Sequence, residues 1–360
     1  MQRTLPLAAL SLLLLAACAG LPDHGDAGRP ASCRSTQAGA ADPARWLLSR
    51  ADAPALDAWC AAVGPAVAIA AARTPDEAVD SFLVVSWNVH VGGGDMVRFV
   101  ADLRSGALTG APVRHFALLL QETHRTGPVV PQPVDGARVA ERITRQPLDG
   151  ERLPVDELAR HLGLHAIYVP SMQNGRVRGA AIREDRGNAI LATLPLESPV
   201  ALELPVVRQR RVAVTGVARG RTSAGAEWAL QLTSVHLENR GGRDVLGVSG
   251  RARQAEWLVG ALPPAGFAVL GGDLNTWVLG EAEPAVTAML PHFPETPEAL
   301  PDGPTHTSHV VLRARLDYLF ARMPGGAMTA YARAPGQYGS DHYPVMAWLH
   351  FPEGAVLFSP

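Results

Sequence analysis

Short apolar runs of strand length recur through most of the chain, and each run leads to polar residues. Residues 82–85 lead to Asn88, and residues 116–120 lead to Glu122. The same arrangement recurs at Asn188, at His236, at Asp273 with Asn275, at Asp317, and at Asp341 with His342. Polar residues with structural roles would be scattered among turns, whereas strand ends are where sheets present active sites. The pattern therefore predicts an α/β fold with a polar site at the ends of its strands.

The composition is that of a folded protein. Of the 360 residues, 47% are apolar and 18% are charged, which is enough apolar surface to bury a core and excludes a disordered chain. The 32 basic and 34 acidic side chains give a net charge of −2, so the chain lacks the charge of a dedicated DNA-packaging protein. Every one of the 32 basic side chains is Arg, so a single Arg is weak evidence for a phosphate site.

The first residues predict export. Arg3 precedes an apolar run that continues to Ala17 and is too short to span a bilayer stably. The run ends in LAAC at 15–18, which resembles the lipobox of bacterial lipoproteins; that resemblance implies that Cys18 is acylated and becomes the mature N-terminus. Residues 1–17 are thus predicted to be a lipoprotein signal peptide, with an ordinary signal peptide as the alternative. Ala19 at the next position favours a lipid anchor in the outer membrane of the cell envelope.

Three segments are predicted after the signal peptide. Residues 18–40 are rich in Gly, Ala, Ser and Pro, which is typical of a tether. Residues 41–75 carry Trp and Leu at roughly helical spacing and are predicted to form a short helical cap. Residues 81–352 form the main domain. Cys33 and Cys60 are the cysteines left after Cys18, and in an oxidising compartment they suggest one disulfide, with two unpaired thiols as the alternative.

The periodicity of the main domain predicts both strands and helices. Helices are expected at 95–105, at 156–162 and at 249–262, where Ser249 is a plausible N-cap. A long Pro- and Gly-rich loop is expected at 126–154. Beyond the two strands already described, the sequence predicts strands at 164–169, 187–194, 211–218, 227–236, 267–272, 315–321 and 343–350.

Carboxylates and amides among the strand-end residues offer an all-oxygen ligand set. This set comprises Glu122, Asp273, Asp341, Asn88 and Asn275. Oxygen ligands suit a hard cation such as Mg²⁺ or Mn²⁺, whereas structural Zn²⁺ prefers Cys and closely spaced His. For any one Asp or Asn a turn cap is the commoner role, but that explanation is much weaker for the whole set.

Two of the twelve histidines stand out by position. His236 ends an apolar strand, and His342 follows Asp341 in a Gly-Ser turn. Imidazole is the natural proton donor or acceptor near neutral pH, and the Asp317 carboxylate could orient a neighbouring ring. Surface or core roles are expected for His24, His115, His161, His165 and His350, while His124, His306 and His309 are left undecided.

Seven short strings, in one order over residues 81–350, resemble the endonuclease/exonuclease/phosphatase superfamily. They are SWNV at 86–89, LLLQE at 118–122, GNAIL at 187–191, SVHLEN at 234–239, GGDLNT at 271–276, RLDYLF at 315–320 and GSDHYPV at 339–345. One such string occurs by chance, whereas seven in order are specific. The resemblance implies a four-layer α/β sandwich, in which helices flank two mostly antiparallel sheets.

The resemblance also implies roles for individual residues. Glu122 corresponds to the main metal ligand, with support from Asn88 and Asp341. Asp273 and Asn275 would orient the attacking water and the phosphoryl oxygens. His236 and His342 would contact the phosphate and transfer protons, with Asp317 paired to His342. Asn188 and Arg211 would face the substrate phosphate, and the identity of the general base is left open.

The expected activity is divalent-metal-dependent hydrolysis of a phosphoester, with a phospholipid, a nucleic acid or a small phosphoester as substrate. His90 stands where the AP-endonuclease branch carries an acidic residue, which disfavours that branch. The Arg runs at 176–186 and 208–211 fit either a cationic pocket or solvated faces. Trp277, Val278 and Leu279 are the nearest candidates for a lipid-entering loop, with core packing as the default. An extracytoplasmic nuclease and a non-catalytic binding lipoprotein remain as alternatives, and no protein partner is indicated.

Overall fold

The computed structural model describes residues 43–49, 59–72, 77–132, 152–174, 183–240, 244–297, 303–308 and 312–353. The predicted signal peptide and tether, with Cys18 and Cys33, lie outside these ranges, as do most of the predicted loop at 126–154 and His309. Cys60 is buried and disulfide-bonded, and its predicted partner Cys33 is one of the residues outside the described ranges.

Strands make up most of the regular structure. In chain order they are β1 (Arg45–Leu48), β2 (Val67–Ile69), β3 (Ser81–Asn88), β4 (Phe116–Thr126), β5 (His165–Gln173), β6 (Glu184–Ala192), β7 (Leu196–Glu203), β8 (Val212–Arg221), β9 (Glu227–His236), β10 (Phe267–Asp273), β11 (His306–Ser308), β12 (Leu312–Ala314), β13 (Asp317–Arg322), β14 (Ala327–Arg333) and β15 (Val345–His350). The helices of the described ranges are α1 (Met96–Ser105), α2 (Val155–Leu162), α3 (Val248–Ala261) and α4 (Pro284–Met289). Among the described residues, no helix combines the length and the apolar character that crossing a bilayer requires.

The strands form two large sheets and a small hairpin. The first sheet has the order β1-β7-β8-β9-β10-β13, and the second has the order β14-β15-β3-β4-β6-β5-β2. Strands β11 and β12 form the hairpin. Parallel pairing joins β1 to β7, β3 to β4 and β9 to β10, and the remaining pairs are antiparallel. The expectation of mostly antiparallel sheets is confirmed.

Four layers result from how the sheets bury their faces. Val84 and Leu119 of the second sheet pack in one core with Leu232 and Val269 of the first. The outer face of the second sheet packs against α1 and α2, and the outer face of the first sheet packs against α3 and α4. Strands buried on both faces need apolar side chains at successive positions, which explains the unbroken apolar runs of the sequence. The predicted four-layer α/β sandwich is therefore confirmed.

Two parts of the N-terminal segment depart from the prediction of a helical cap, whereas Trp59 and Cys60 are helical. Residues 45–48 pair with β7, and residues 67–69 pair with β5, so each adds an edge strand to one of the two sheets. The predicted helices are wrong at these positions. Short apolar segments fit either state by periodicity, and here the free edge of each sheet decides in favour of strand.

The start of α3 also differs from the prediction. The helix begins at Val248 after Gly247, which has a left-handed φ of 79°, so Ser249 is not the N-cap. The Asp244 carboxylate accepts hydrogen bonds from the backbone N–H groups of Val248 and Ser249. Asp244 therefore satisfies the free N–H groups of the first turn, from outside the helix.

Two of the three Arg side chains at 208–211 are not part of a solvated face, although Arg208 is exposed. Arg210 is fully buried: its Nε and Nη2 each donate to the Glu203 carboxylate at 2.7 Å, and its Nη1 donates to the carbonyls of Pro170 and Ser171. Since Glu203 ends β7 and Pro170 lies in β5, this ion pair joins the two sheets. Arg211 is buried too, so the interpretation of these two residues as solvated is wrong.

Glu203→Gln is expected to destabilise the fold by about 3–5 kcal/mol, because it leaves the buried Arg210 charge without its partner. Urea unfolding followed by tryptophan fluorescence measures the change. The matched control is Glu197→Gln, which removes the partner of Arg219 in a half-exposed pair and should cost less than about 1 kcal/mol. Equal losses in the two variants would contradict a structural role for the buried pair.

Candidate active site

The register of the first sheet places three predicted site residues side by side. Strand β10 lies between β9 and β13, and Asp273 is directly opposite His236 on one side and Asp317 on the other. His236 and Asp273 are the last residues of the parallel strands β9 and β10, and Asp317 is the first residue of the antiparallel strand β13. Strand pairing alone therefore brings the three residues together. His236 Nε2 lies 3.4 Å from Asp273 Oδ2, and all three side chains are buried.

The second sheet brings Asn88 and Glu122 to the same end of the sandwich. Asn88 ends β3, and its Nδ2 donates to Asp273 Oδ2 at 2.9 Å, which ties the two sheets together at the site. Glu122 stands at a register shift between Leu120 and Thr123 of β4 and has a left-handed φ of 56°. A bulge of this kind re-aims a side chain, and a positive φ at a non-glycine residue costs about 1–3 kcal/mol. The strain is consistent with a functional position for the Glu122 carboxylate.

His342 is held by two backbone hydrogen bonds and one carboxylate. Ser340 Oγ donates to the Asn88 carbonyl and accepts from the His342 N–H, while Trp87 Nε1 donates to the His342 carbonyl. His342 Nδ1 lies 2.8 Å from Asp317 Oδ2 in a hydrogen bond. Nε2 therefore points away from Asp317, at 3.8 Å from Asp273 Oδ2 and 3.9 Å from Asp341 Oδ1.

The surroundings of the two site histidines shift the pKa values of their imidazoles in opposite directions. Burial alone would lower the pKa of His342, but the Asp317 carboxylate, with Asp273 and Asp341, raises it to about 10. Burial lowers the pKa of His236 well below its usual range, and the charges of Arg211 and Arg186 add to this effect. Burial also raises the pKa of the Asp273 carboxyl to about 6. At neutral pH the site therefore holds one cationic imidazole and one neutral imidazole on either side of Asp273.

Asp317→Asn is expected to lower the pKa of His342, because it removes the nearest negative charge. In the wild-type chain the folded pKa lies above the usual value near 6.5, so protonation of His342 stabilises the fold below that pH, and this contribution is lost as the pH rises towards 10. Titration of the imidazole signals by NMR measures the change. Unchanged titration of His342 in the variant would contradict the pairing.

The carboxylates Glu122 and Asp341 offer oxygen ligands around this centre. Glu122 Oε2 lies 3.4 Å from Arg186 Nη1, and Glu122 Oε1 lies 3.9 Å from His236 Nδ1. Asp341 is flanked by His90 and His306; burial would raise the pKa of its carboxyl, but the two imidazoles hold that pKa well below its usual range. Two carboxylates with the Asn88 amide are the donor set that Mg²⁺ or Mn²⁺ prefers, so the residues present fit the predicted metal.

Three other predicted residues lie at the site with engaged side chains. Asn188 Nδ2 donates to the Val212 carbonyl at 2.7 Å, across the two sheets. Asn275 lies two residues after Asp273 and has a left-handed φ of 54°. Its Nδ2 donates to the Leu237 carbonyl, and its Oδ1 accepts from Trp277 Nε1. Arg211 Nη2 lies 3.8 Å from Glu238, while its buried Nε has no hydrogen-bond partner among the described residues. Among these three side chains, Arg211 Nε is thus the donor that is available to bond a substrate.

Three residues at the site are outside the predicted set of site residues: His90, Arg186 and His306. Arg186 stood in an Arg run with no feature to separate it from its neighbours. His90 lies two residues after Asn88, and this short spacing was the signal in the sequence that could have identified it. His306 reaches the site because residues 305–307 pair with residues 341–343, through Tyr343 N–H to the Thr305 carbonyl and Thr307 N–H to the Asp341 carbonyl. That pairing is a tertiary contact, which local periodicity does not contain.

The loop after Asn275 is not part of the core. Trp277, Val278 and Leu279 are 39%, 44% and 51% exposed, so the default expectation of core packing is wrong for them. Trp277 nevertheless contacts the site, since its ring packs edge-on against the His306 ring with the two ring centroids 4.8 Å apart. The loop therefore presents apolar side chains at the rim of the site.

Comparison with solved structures places this geometry in a known fold. No protein-family model and no curated protein matches the chain. A solved endonuclease/exonuclease/phosphatase from Beutenbergia cavernae is similar with 20% identity over 76% of this chain and 72% of that one, at a TM-score of 0.53. Lower TM-scores relate the chain to the inositol polyphosphate 5-phosphatase domain of spsynaptojanin (12% identity, 80% and 86% coverage, 0.43) and to a humanized D. rerio TDP2 (15% identity, 76% and 100% coverage, 0.42). The first of these similarities agrees with the two facing sheets between helical layers and with the site at the strand ends. The chain therefore has the endonuclease/exonuclease/phosphatase fold.

Proposed function

We propose that the protein is a divalent-metal-dependent phosphoester hydrolase that uses water as its nucleophile. The observation that carries the proposal is the convergence of His236, Asp273 and the Asp317–His342 pair with Asn88 and Glu122 at one end of the sandwich. A phosphoester is an anion, so a site that hydrolyses it must supply positive charge and a proton acceptor together. This set of residues supplies both.

The chemistry follows from the state of each group. Glu122, Asp341 and Asn88 would hold Mg²⁺ or Mn²⁺, which neutralises charge on the phosphoryl group when bound. His342 holds a proton at Nε2 and donates a charge-assisted hydrogen bond to a phosphoryl oxygen. Asp273, with its pKa raised to about 6, orients the water and takes its proton as the new P–O bond forms and the ester P–O bond breaks. Neutral His236 and Arg211 Nε add donors to the same phosphate.

Hydrolysis of bis-p-nitrophenyl phosphate tests the proposal. The purified chain should release p-nitrophenol with Mg²⁺ or Mn²⁺ and lose this activity in EDTA. A panel of nucleic acid, sphingomyelin and sugar phosphates then identifies the substrate. If no member of the panel is hydrolysed with any divalent ion, the chain is a binding protein with this fold and the proposal is wrong.

Among substrates, the rim favours a phospholipid over a nucleic acid. Trp277, Val278 and Leu279 are exposed beside the site, and Val245 and Leu246 are 88% and 55% exposed. Arg251 connects the two groups, since it donates to the Leu246 carbonyl and pairs with Glu283, which accepts from the Val278 N–H. An exposed apolar rim fits acyl chains, whereas nucleic-acid surfaces are basic.

Leu279→Asp is expected to reduce hydrolysis of phospholipid in vesicles by about 10-fold, because a charge at the rim opposes contact with the apolar phase, at roughly 1–2 kcal/mol for one lost side chain. Hydrolysis of bis-p-nitrophenyl phosphate, which needs no such contact, should stay within about two-fold. Equal activity of variant and wild type on vesicles would contradict the phospholipid assignment and favour a soluble substrate.

The envelope location is part of the same proposal. We infer from the LAAC string that Cys18 carries a lipid anchor and that the domain acts outside the cytoplasm. Mass spectrometry of the mature N-terminus tests this. An acylated Cys18 supports it, and an unmodified Met1 in membranes contradicts it.

A further inference from the structure

A buried imidazole with no assigned role lies against Asp341. His306 is 4% exposed, and its Nε2 lies 3.4 Å from Asp341 Oδ2. Its Nδ1 is buried and has no hydrogen-bond partner within the described residues. Nε2 is therefore the nitrogen of this ring that faces the carboxylate.

The fold fixes the His306 ring in place. The backbone of residues 305–307 is bonded to residues 341–343 on one side, and Thr305 Oγ accepts from the N–H groups of Leu316 and Asp317 on the other. The ring is held edge-on between Trp277 and His342, with centroid distances of 4.8 Å and 4.6 Å. A side chain fixed by backbone pairing and two aromatic rings is preorganised, as ligands of a metal ion must be.

The spacing of three atoms is that of ligands on one ion. One ligand atom each from His306, Asp341 and His342 lie within 4.8 Å of one another. Ligands at about 2.0–2.2 Å from a shared ion are about 3–4 Å apart. His306 Nε2 lies 3.4 Å from Asp341 Oδ2, and His342 Nε2 lies 3.9 Å from the other oxygen of the same carboxylate, Oδ1. His342 Nδ1 is bonded to Asp317, which is the carboxylate–histidine arrangement that orients a ligating Nε2.

The surroundings of Asp341 agree with this. His90 Nδ1 lies 2.9 Å from Asp341 Oδ1, within hydrogen-bond distance. Imidazoles thus stand at both oxygens of one carboxylate. An all-oxygen magnesium site does not need them, whereas imidazole nitrogen suits Zn²⁺, Co²⁺ and similar ions.

We propose that His306, Asp341 and His342 form a second cation site of mixed nitrogen and oxygen ligands that takes a transition ion such as Zn²⁺. The inference rests on the proposed function, because Asp341 and His342 also belong to the hydrolytic site. An ion on His342 Nε2 displaces the proton of that atom to solvent and occupies the position that contacts the phosphate. Zn²⁺ at this site therefore inhibits the hydrolysis that Mg²⁺ supports, and His306 sets the affinity for this inhibitor.

Co²⁺ is a spectroscopic probe for the site. The full-length chain titrated with Co²⁺ should develop visible absorption bands of a nitrogen-ligated ion, and Zn²⁺ should displace it. His306→Gln should weaken Co²⁺ binding by at least about 10-fold. Glu122→Gln, outside this ligand set, and His350→Gln, an exposed histidine of β15, should retain the bands. Circular dichroism checks folding, and His306→Asp, which offers an oxygen ligand at the same position, should regain part of the affinity.

Two results overturn the inference: wild-type-like Co²⁺ binding by His306→Gln, or equal loss of the bands in Glu122→Gln, which would mean a single site. Inhibition assays give an independent readout, since Zn²⁺ should inhibit Mg²⁺-supported hydrolysis by the wild type and much less by His306→Gln. If Co²⁺ binds as expected and no phosphoester is hydrolysed, the proposed function fails while the second cation site stands. If hydrolysis is normal and His306→Gln binds Co²⁺ like the wild type, only the cation site fails.

Discussion

The His342→Ala variant is expected to hydrolyse bis-p-nitrophenyl phosphate about 100- to 10,000-fold more slowly than the wild type at saturating Mg²⁺. In the wild type, the Asp317 carboxylate raises the pKa of His342, so under the proposed function Nε2 would donate to the phosphate throughout the neutral pH range. Alanine removes this donor and leaves Asp317 as a buried carboxylate without a partner. The loss should therefore lie in kcat, because the donor acts most strongly on charge that develops in the transition state.

The control for this variant is His350→Ala. His350 ends the final strand, β15, which begins three residues after His342; it is exposed on the surface, where it contacts Thr329. Its removal should leave kcat within about two-fold. Thermal unfolding of both variants separates a chemical effect from a folding defect. A His342→Ala protein that is folded and fully active would show that the Asp317–His342 pair is structural.

Glu122→Gln is expected to lower hydrolysis roughly 1,000-fold and to raise the Mg²⁺ concentration needed for half-maximal activity. A bound divalent ion supplies several kcal/mol of charge stabilisation, and a loss of about 4 kcal/mol corresponds to three powers of ten. The amide keeps the shape of the side chain and removes its charge. The strained backbone at position 122 is unchanged, so stability should change little.

Magnesium titrations of activity and isothermal titration calorimetry measure the effect of Glu122→Gln. The matched control is Glu256→Gln, which neutralises an exposed carboxylate on α3. This control should bind Mg²⁺ and hydrolyse substrate like the wild type. Equal Mg²⁺ requirements for Glu122→Gln and the wild type would place the metal elsewhere.

Much of the fold was predictable because its central strands are buried on both faces. Strands such as β3 and β4 are recognisable in the sequence as unbroken apolar runs, since each side chain faces either the other sheet or a helix. Strands at a sheet edge or next to one carry no such signal. Leu196–Glu203 is half polar and Ala327–Arg333 is mostly exposed, so neither β7 nor β14 was predicted. Their state is decided by the neighbouring strand.

The site divides in the same way. His236, Asp273 and Asp317 were predictable because each ends an apolar run, and adjacent strands that end together bring their last residues together. His306 ends no apolar run and arrives through pairing with residues 341–343. Arg210 illustrates the opposite error, since a charged run suggested a surface while the guanidinium lies buried on Glu203. Contacts between distant segments decide both positions, and short-range patterns do not encode them.

A crystal structure of the wild-type chain with Mn²⁺ and inorganic phosphate tests the central claim most directly. Anomalous scattering locates the ion without assumptions about its ligands. The convergence of strand ends predicts an ion bound by Glu122 and Asp341, with a phosphate that contacts both His236 and His342. An ion elsewhere on the molecule, or a phosphate that touches neither histidine, would contradict the assignment of this end of the sandwich as the hydrolytic site.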